Sequence, residues 1–466
     1  MVPGDPGKGA DASTGECVIA TSTSLLPPML PGALPVIGHG YDFWSRPIEL
    51  LRSGQQRFGD VWSLALGRQR ATVLTGPEAN EAFFRAPDDV LSARECYKFT
   101  IPVFGPGVAY DATPEEMERQ LAFLHPALSE KRLRSYVDVM VEETEQYLAT
   151  WGDSGERDLY TSTQDITLFI ATRCLLGNEI RRHFSTEFAR MYQDLHGGMS
   201  ILAYFMPHAP LPAFRRRDRA RQGVQRLLSG IMAARRKESG AHEDFLETLL
   251  AFRDERGAPL SDEVVVGLLL TLVFAGQQTS AALAAWSGVL LHQNPQYLPM
   301  ILEELQREVG GQRITYETLK KLPVLERAIK EGERMRPPLA VLMRSVMEPF
   351  RVNGYELPPG SLAVASPAVS HRLPDIYSDP DRYDPGRFAP GREEDRKASY
   401  SLIGFGGGKH RCIGMVFAYQ QIKVIWASIL RRYDIELVNR ECRPDYRSLV
   451  VGPELPCPIR YNRRSA

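Results

Sequence analysis

One ten-residue window sets the tightest limit on this chain: Phe405-Gly-Gly-Gly-Lys-His-Arg-Cys-Ile-Gly414. Glycines at 406, 407, 408 and 414 surround a single thiol, Cys412. Lacking Cβ atoms, they let the backbone approach another group closely and aim its N–H groups at the sulfur. Such N–H groups stabilise a thiolate and tune its potential, and Phe405 stands where it can cover the sulfur. A lone cysteine in a glycine-rich turn is most often an inert buried residue. The complete spacing, F-x-x-G-x-[RH]-x-C-x-G, carries far more information than the cysteine itself.

The chain has 466 residues, 43% apolar and 24% charged, enough to bury a large core. Lys+Arg 56 against Asp+Glu 57 leaves a formal charge of -1, so no global charge argues for nucleic acid. Six cysteines (17, 96, 174, 412, 442 and 457) show neither CxxC pairs nor zinc spacing, as expected of a reducing compartment without a disulfide framework. Residues 1–24 carry no apolar signal region and are expected to be disordered. Residues 25–466 are expected to form a single catalytic domain. The longest apolar stretch, Val264 to Gly276, is interrupted by Gly267 and Thr271 and falls short of the ~20 residues of a membrane span.

Leu26–Gly38 is punctuated by Pro and Gly and fits neither helix nor central strand. Val61–Leu66 and Ala71–Thr75, flanking Gly67, read as strands. From about 115 to 340 the period is helical, with breaks at Gly152-Asp-Ser-Gly, Pro207–Pro212 and Gly257-Ala-Pro. Residues 262–292 read as one long helix, and 345–370 return to strands and turns. These elements predict a mainly α fold with a small β subdomain.

The Cys412 window resembles the haem-binding loop of the cytochrome P450 monooxygenases. The resemblance implies haem b with Cys412 as axial ligand, its thiolate donating electron density that favours O–O cleavage. It also implies that His410 and Arg411 meet haem carboxylates and that Gly414 closes the loop. Ala275-Gly276-Gln277-Gln278-Thr279-Ser280 is similar to the family's oxygen-binding stretch. Gly276 would allow close approach to haem, and the Thr279 hydroxyl would hydrogen-bond dioxygen and relay protons. Glu331-Gly-Glu-Arg334 matches the E-x-x-R pair, one helix face at i, i+3, with Arg387 as third member of a fold-locking triad. Arg344 falls where the family commonly places a haem-propionate partner; Arg119 is a weaker candidate. Eukaryotic members usually begin with a membrane helix, so its absence implies a cytoplasmic bacterial protein, expected to be a monomer.

Within that family, Tyr97-Lys-Phe99-Thr-Ile-Pro102-Val-Phe104-Gly105-Pro-Gly107-Val-Ala-Tyr110-Asp111 resembles the signature loop of the sterol 14α-demethylases. Tyr97, Phe99, Phe104 and Tyr110 would line a sterol cavity or contact haem, and Ala275 would also bind the substrate. An apolar aromatic wall suits a rigid sterol whose burial supplies most of its binding energy. The implied reaction takes a 14α-methyl through alcohol and aldehyde to formate, leaving a Δ14 double bond and consuming O2. The chain has no flavin or nicotinamide motif, so a separate ferredoxin or flavoprotein reductase must supply electrons. The basic run Arg215–Arg221 reads first as a solvated helix face and second as a docking site for an acidic partner.

Two departures stand out. Gln278 occupies the place of the family's distal His, and His196 that of the Asp expected to pair with it. A salt bridge thus becomes a His–Gln pair: either a rewired relay in which His196 titrates, or a changed substrate or reaction. The alternatives to sterol demethylation are a related monooxygenase hydroxylating another triterpenoid or steroid, and a non-catalytic haem protein that binds lipid.

Overall fold

The computed structural model describes residues 25–464 apart from 179–180, 182–185, 200–202, 205, 238–243 and 254–256. The disorder expected for residues 1–24 therefore lies outside the described residues. The architecture is organised around one helix, Asp262–Gln293, 32 residues long. Ser261 starts it by accepting the Val264 N–H, and Asp262 and Glu263 complement the positive end of the helix dipole. Its hydrophobic residues run almost all round because helices pack on every side: Leu159–Ala171, Pro323–Met335 and Met415–Arg432 all contact it.

Polar side chains fix the register of that packing. The Thr163 hydroxyl donates to the Ala281 carbonyl (3.0 Å), and Trp426 Nε1 donates to the Ala284 carbonyl (2.8 Å). Gly288 is required here, since a Cβ on it would lie 1.9 Å from the Trp426 ring. Among the described residues this helix alone is long and apolar enough to cross a membrane, yet 67% of its apolar window is buried inside the protein. The apolar run visible in the sequence was shorter because Gly267 and Thr271 interrupt it; Thr271 satisfies its hydroxyl within the helix, on the Gly267 carbonyl.

Among the described residues, ten strands make three sheets. The largest has the order β1-β2-β8-β5-β3, from Val61–Leu66, Gln69–Leu74, Leu362–Ala365, Leu342–Val346 and Leu91–Ser92. β1 and β2 form the expected hairpin, and β2 pairs in parallel with β8, so residues as distant as Ala71 and Leu362 are partners in one sheet. β4 (Ser154–Asp158) pairs with β10 (Pro458–Arg463), which pairs with β9 (Tyr433–Leu437); β6 (Phe350–Val352) and β7 (Tyr355–Leu357) form a ribbon. β4 interrupts the stretch expected to be helical from 115 to 340. It is a largely exposed strand whose pairing partner lies some three hundred residues downstream, so no local periodicity announces it. Leu26–Gly38 is irregular, tied down by isolated bridges such as Met29 to Ser63.

Candidate active site

Cys412 lies just before the helix Met415–Arg432. The backbone N–H groups of Gly414 and Met415 face its sulfur, and its own N–H donates to the Phe405 carbonyl (2.8 Å). The Met415 donor was not anticipated; it follows from the helix beginning there, whose N-terminus favours an anion. Surrounding protein raises the thiol pKa above its usual value, while those two N–H groups lower it. Cys412 nevertheless has open surface, so the sulfur sits on the wall of a recess rather than inside packed protein. Phe405 packs at a tilt against Tyr419, ring centroids 5.6 Å apart. Gly406 and Gly408 adopt left-handed φ of 70° and 57°, and a Cβ on Gly408 would meet the Phe84 carbonyl at 2.6 Å. The glycines are thus demanded by the close seat of the loop on Phe84 as much as by any partner of the sulfur.

The long helix shows one open stripe in an otherwise buried middle: Thr271, Leu272, Ala275, Gly276 and Thr279. Spacings of one, three and four residues put them on one face. A Cβ on Gly276 would touch only Leu175, at 3.9 Å, so this face is open. Thr279 Oγ1 donates to the Ala275 carbonyl (2.7 Å), which leaves its lone pairs free to accept.

A third group converges on the same place. Tyr97 and Tyr110 stack with centroids 4.6 Å apart, and Tyr110 lies within electrostatic reach of both Cys412 and Arg344. The Met343 N–H donates to the Tyr97 hydroxyl (3.2 Å), so the hydroxyl proton of Tyr97 remains available. Arg344 is 3% exposed; it donates to the Phe83 carbonyl (2.9 Å) and lies over the Phe83 ring. Among the described residues no carboxylate comes within ion-pair distance of it, and burial lowers its pKa. His410 Nε2 instead meets Asp88 (2.7 Å), which Lys409 also pairs (2.9 Å). Arg119, the weaker candidate, is exposed.

An apolar cavity of about 500 Å³ lies against the N-terminal segment, with Val36, Ile37, Tyr41 and Trp44 in its wall. Phe99 is in its wall, with Tyr204, Met343, Leu362 and Leu449, none of which the sequence motifs singled out. Phe104, Tyr97, Tyr110 and Ala275 are not in that wall. Phe104 packs edge-on against Phe274 at 5.6 Å. What links the cavity to the aromatic cluster is Phe99, whose ring lies 5.9 Å from that of Tyr97.

Gln278 and His196 are not joined. The Gln278 amide lies against the Tyr192 hydroxyl, which donates to Gln277 Oε1 (2.8 Å), and among the described residues Gln278 Oε1 has no partner. Burial lowers the His196 pKa, favouring neutral imidazole, and among the described residues no hydrogen bond links it to Gln278.

These features decide the family. Residues 27–457 match the family described as Cytochrome P450. The chain belongs to the cytochrome P450 family. It is 38% identical over 447 residues to the sterol 14-demethylase of Arabidopsis thaliana, covering 94% of this chain and 92% of that protein. It is 37% identical to the lanosterol 14-alpha demethylase of Bos taurus, covering 94% and 88%. It is 34% identical to the sterol 14alpha-demethylase of Mycobacterium tuberculosis, covering 94% and 98%. The retinoic acid-bound cyanobacterial CYP120A1 superposes with a TM-score of 0.85 at 25% identity, covering 95% of this chain and 100% of that one.

A P450 holds haem through a thiolate, and the residues present fit that group. The recess offers an accessible thiol faced by two N–H groups, a buried guanidinium lacking an anion and a phenol with a spare proton. A lone buried cation is costly until an anion joins it, which a haem propionate would do.

Next to this P450 loop, Glu333 is 2% exposed and accepts a hydrogen bond from the Tyr419 hydroxyl at 2.5 Å. Burial raises its pKa to about 7, far above an ordinary carboxyl. Because the folded protein binds this proton more tightly than the unfolded chain does, Glu333 contributes most below about pH 4.5. That contribution fades as pH rises through about 7. Replacing Glu333 with Gln should therefore flatten the fall in melting temperature between pH 5 and 8, measured against wild type in the same buffers.

Proposed function

We propose that this P450 removes the 14α-methyl group of a sterol precursor in three O2-dependent oxidations, giving a Δ14 sterol and formate. The observation that carries the proposal is where the signature loop folds. Tyr97 and Tyr110 stack beside Cys412 and Arg344, while Phe99 of the same loop lines an apolar cavity large enough for much of a fused-ring lipid. Sequence relatives named for 14-demethylation, spanning nearly the whole chain, support it.

Haem, when bound, supplies the activation of O2 and the oxidation of the methyl carbon. Cys412 would hold it through its sulfur, assisted by the N–H groups of Gly414 and Met415; Arg344 and Tyr97 would hold its carboxylates, with Tyr110 beside them. His410, neutral and paired with Asp88, would support the loop from behind. On the open stripe, Gly276 and Ala275 would leave room for the group and its substrate. The Thr279 hydroxyl, anchored on the Ala275 carbonyl, would accept a proton from one side and donate it toward the reacting oxygen. Phe99 and Leu449 would exclude water around the sterol, and an external ferredoxin or flavoprotein would deliver electrons.

The separation of Gln278 from His196 favours a second reading, hydroxylation of another triterpenoid without carbon–carbon cleavage. One experiment discriminates: purified protein with a surrogate reductase and lanosterol, obtusifoliol-type or C4-desmethyl sterols. Demethylation yields Δ14 product and formate together; a hydroxylated sterol without formate overturns the proposal. In the same assay Thr279→Val should lower turnover about a hundredfold, the lower end of what a positioned proton-transfer group contributes, while Thr279→Ser retains most of it.

A further inference from the structure

We propose that Cys442 and Cys457 form a peroxide-responsive dithiol at the neck of a hairpin whose tip, Leu449, forms part of the cavity wall. The effect on binding rests on the reading above, that this cavity takes the substrate. The two sulfurs are 3.9 Å apart. Their positions follow from the topology: β9 and β10 pair as far as Leu437 and Ile459, after which the chain leaves the sheet as a loop and returns. Within that loop Glu454 N–H donates to the Arg443 carbonyl (2.7 Å) and Asp445 N–H to the Gly452 carbonyl (2.9 Å). The two arms are thus already zipped together, and the cysteines stand at their base.

The partners are unequally held. Cys457 is 1% exposed; its N–H donates to Asp158 Oδ2 and its carbonyl accepts from Leu159 N–H (2.8 Å). Cys442 is half-buried and its thiol points to the Asn439 carbonyl at 3.4 Å. A disulfide bond of about 2 Å therefore requires movement of about 2 Å, which falls on Cys442. The hydrogen bond between the two sulfurs lowers the pKa of Cys442, whereas that same bond, and then burial, raise the pKa of Cys457. Cys442 is consequently the sulfur that reacts first.

The steps balance. The Cys442 thiolate attacks a peroxide oxygen, breaking the O–O bond to give a sulfenic acid and hydroxide. The Cys457 thiol then attacks that sulfenic sulfur, forming the S–S bond and releasing water. The two thiols lose two electrons and the peroxide gains them. A thiol reductant reverses the change, so in a reducing compartment the bond is transient rather than structural.

Closing the neck restrains residues 443–456. Past the tip, Val451 is already fixed on both sides, its N–H donating to the Pro338 carbonyl (2.7 Å) and its carbonyl accepting from Trp286 Nε1 (2.9 Å). Leu449 lies between that anchor and the neck, against Phe99 and Tyr204. Locking the neck removes the remaining freedom of this piece of wall, which must yield for a bulky lipid to enter.

The test uses haem-loaded full-length protein, treated with hydrogen peroxide at doses that leave its reduced carbon monoxide spectrum intact, or with a thiol reductant. Peptide mapping without reduction should join the Cys442 and Cys457 peptides. Amide exchange across 443–456 should slow several-fold, and the sterol concentration giving half of the spectral shift should rise several-fold. Cys442→Ser and Cys457→Ser should each behave as reduced wild type under both treatments. Cross-linking with slowed exchange but no sterol response in either form supports the dithiol and counts against the sterol reading instead. No cross-link, or a cross-link with unchanged exchange, overturns the proposal.

Discussion

Replacing Cys412 with serine is expected to abolish monooxygenase turnover while leaving the polypeptide folded. The side chain has open surface and packs little, so losing its sulfur creates no cavity of consequence. Its loop is held instead by the Cys412 N–H on the Phe405 carbonyl, by the left-handed glycines and by the start of the Met415–Arg432 helix, all of which serine preserves. What serine cannot supply is an electron-rich thiolate at neutral pH, because a hydroxyl keeps its proton where N–H donors would have stabilised sulfur. Circular dichroism should therefore match wild type while formate production falls to background. Substantial residual turnover would remove the thiolate from the mechanism.

The largest effect on stability is expected from the triad behind that loop. Glu331, Arg334 and Arg387 are each 0% exposed. Glu331 Oε1 accepts from Arg334 Nη2 (2.9 Å), Arg387 Nε (3.0 Å) and the Asp384 N–H (2.8 Å), and Oε2 from Arg334 Nε (2.7 Å). Arg334 spends its other protons on the carbonyls of His371, Pro380 and Arg382. Arg387 also reaches Glu394 (2.6 Å), whose pKa falls to about 2, largely through its bonds from Ser378, Arg392 and Arg387 outweighing burial. Every donor has an acceptor, so removing the one carboxylate between two guanidinium groups strands buried charge. Glu331→Gln should cost about 3–5 kcal/mol, a large share of a typical folding free energy. It should appear as a lowered melting temperature and lost haem content. Arg387→Lys, which keeps the charge but not the fork, should cost less. Equal melting temperatures for Glu331→Gln and wild type would show the network to be unimportant.

The contrast between what the sequence disclosed and what it hid has a physical basis. The cysteine loop, the long helix and the E-x-x-R pair were legible because each depends on local spacing: glycines at fixed offsets, a 3.6-residue period, an i, i+3 face. β4 was hidden because its pairing partner is the distant β10, and the two-residue β3 because it pairs across the chain, Leu91 opposite Val346. The cavity wall was half visible. Phe99 belongs to a recognisable motif, whereas Leu449, Met343 and Tyr204 reach it from distant segments with no pattern of their own. The expected His196–Gln278 pair illustrates the opposite hazard: a pairing read from a resemblance depends on both side chains, and both are changed in this chain. Here Gln278 finds Tyr192, and burial favours the neutral form of the half-buried His196.

The most direct test of the account is the optical spectrum of the purified, dithionite-reduced protein under carbon monoxide. With the Cys412 sulfur bound to iron, the Soret band should move to the long-wavelength position that thiolate ligation alone produces, and Cys412→Ser should lose it. A band at the shorter wavelength of a histidine-ligated haem in fresh wild-type protein would contradict the account.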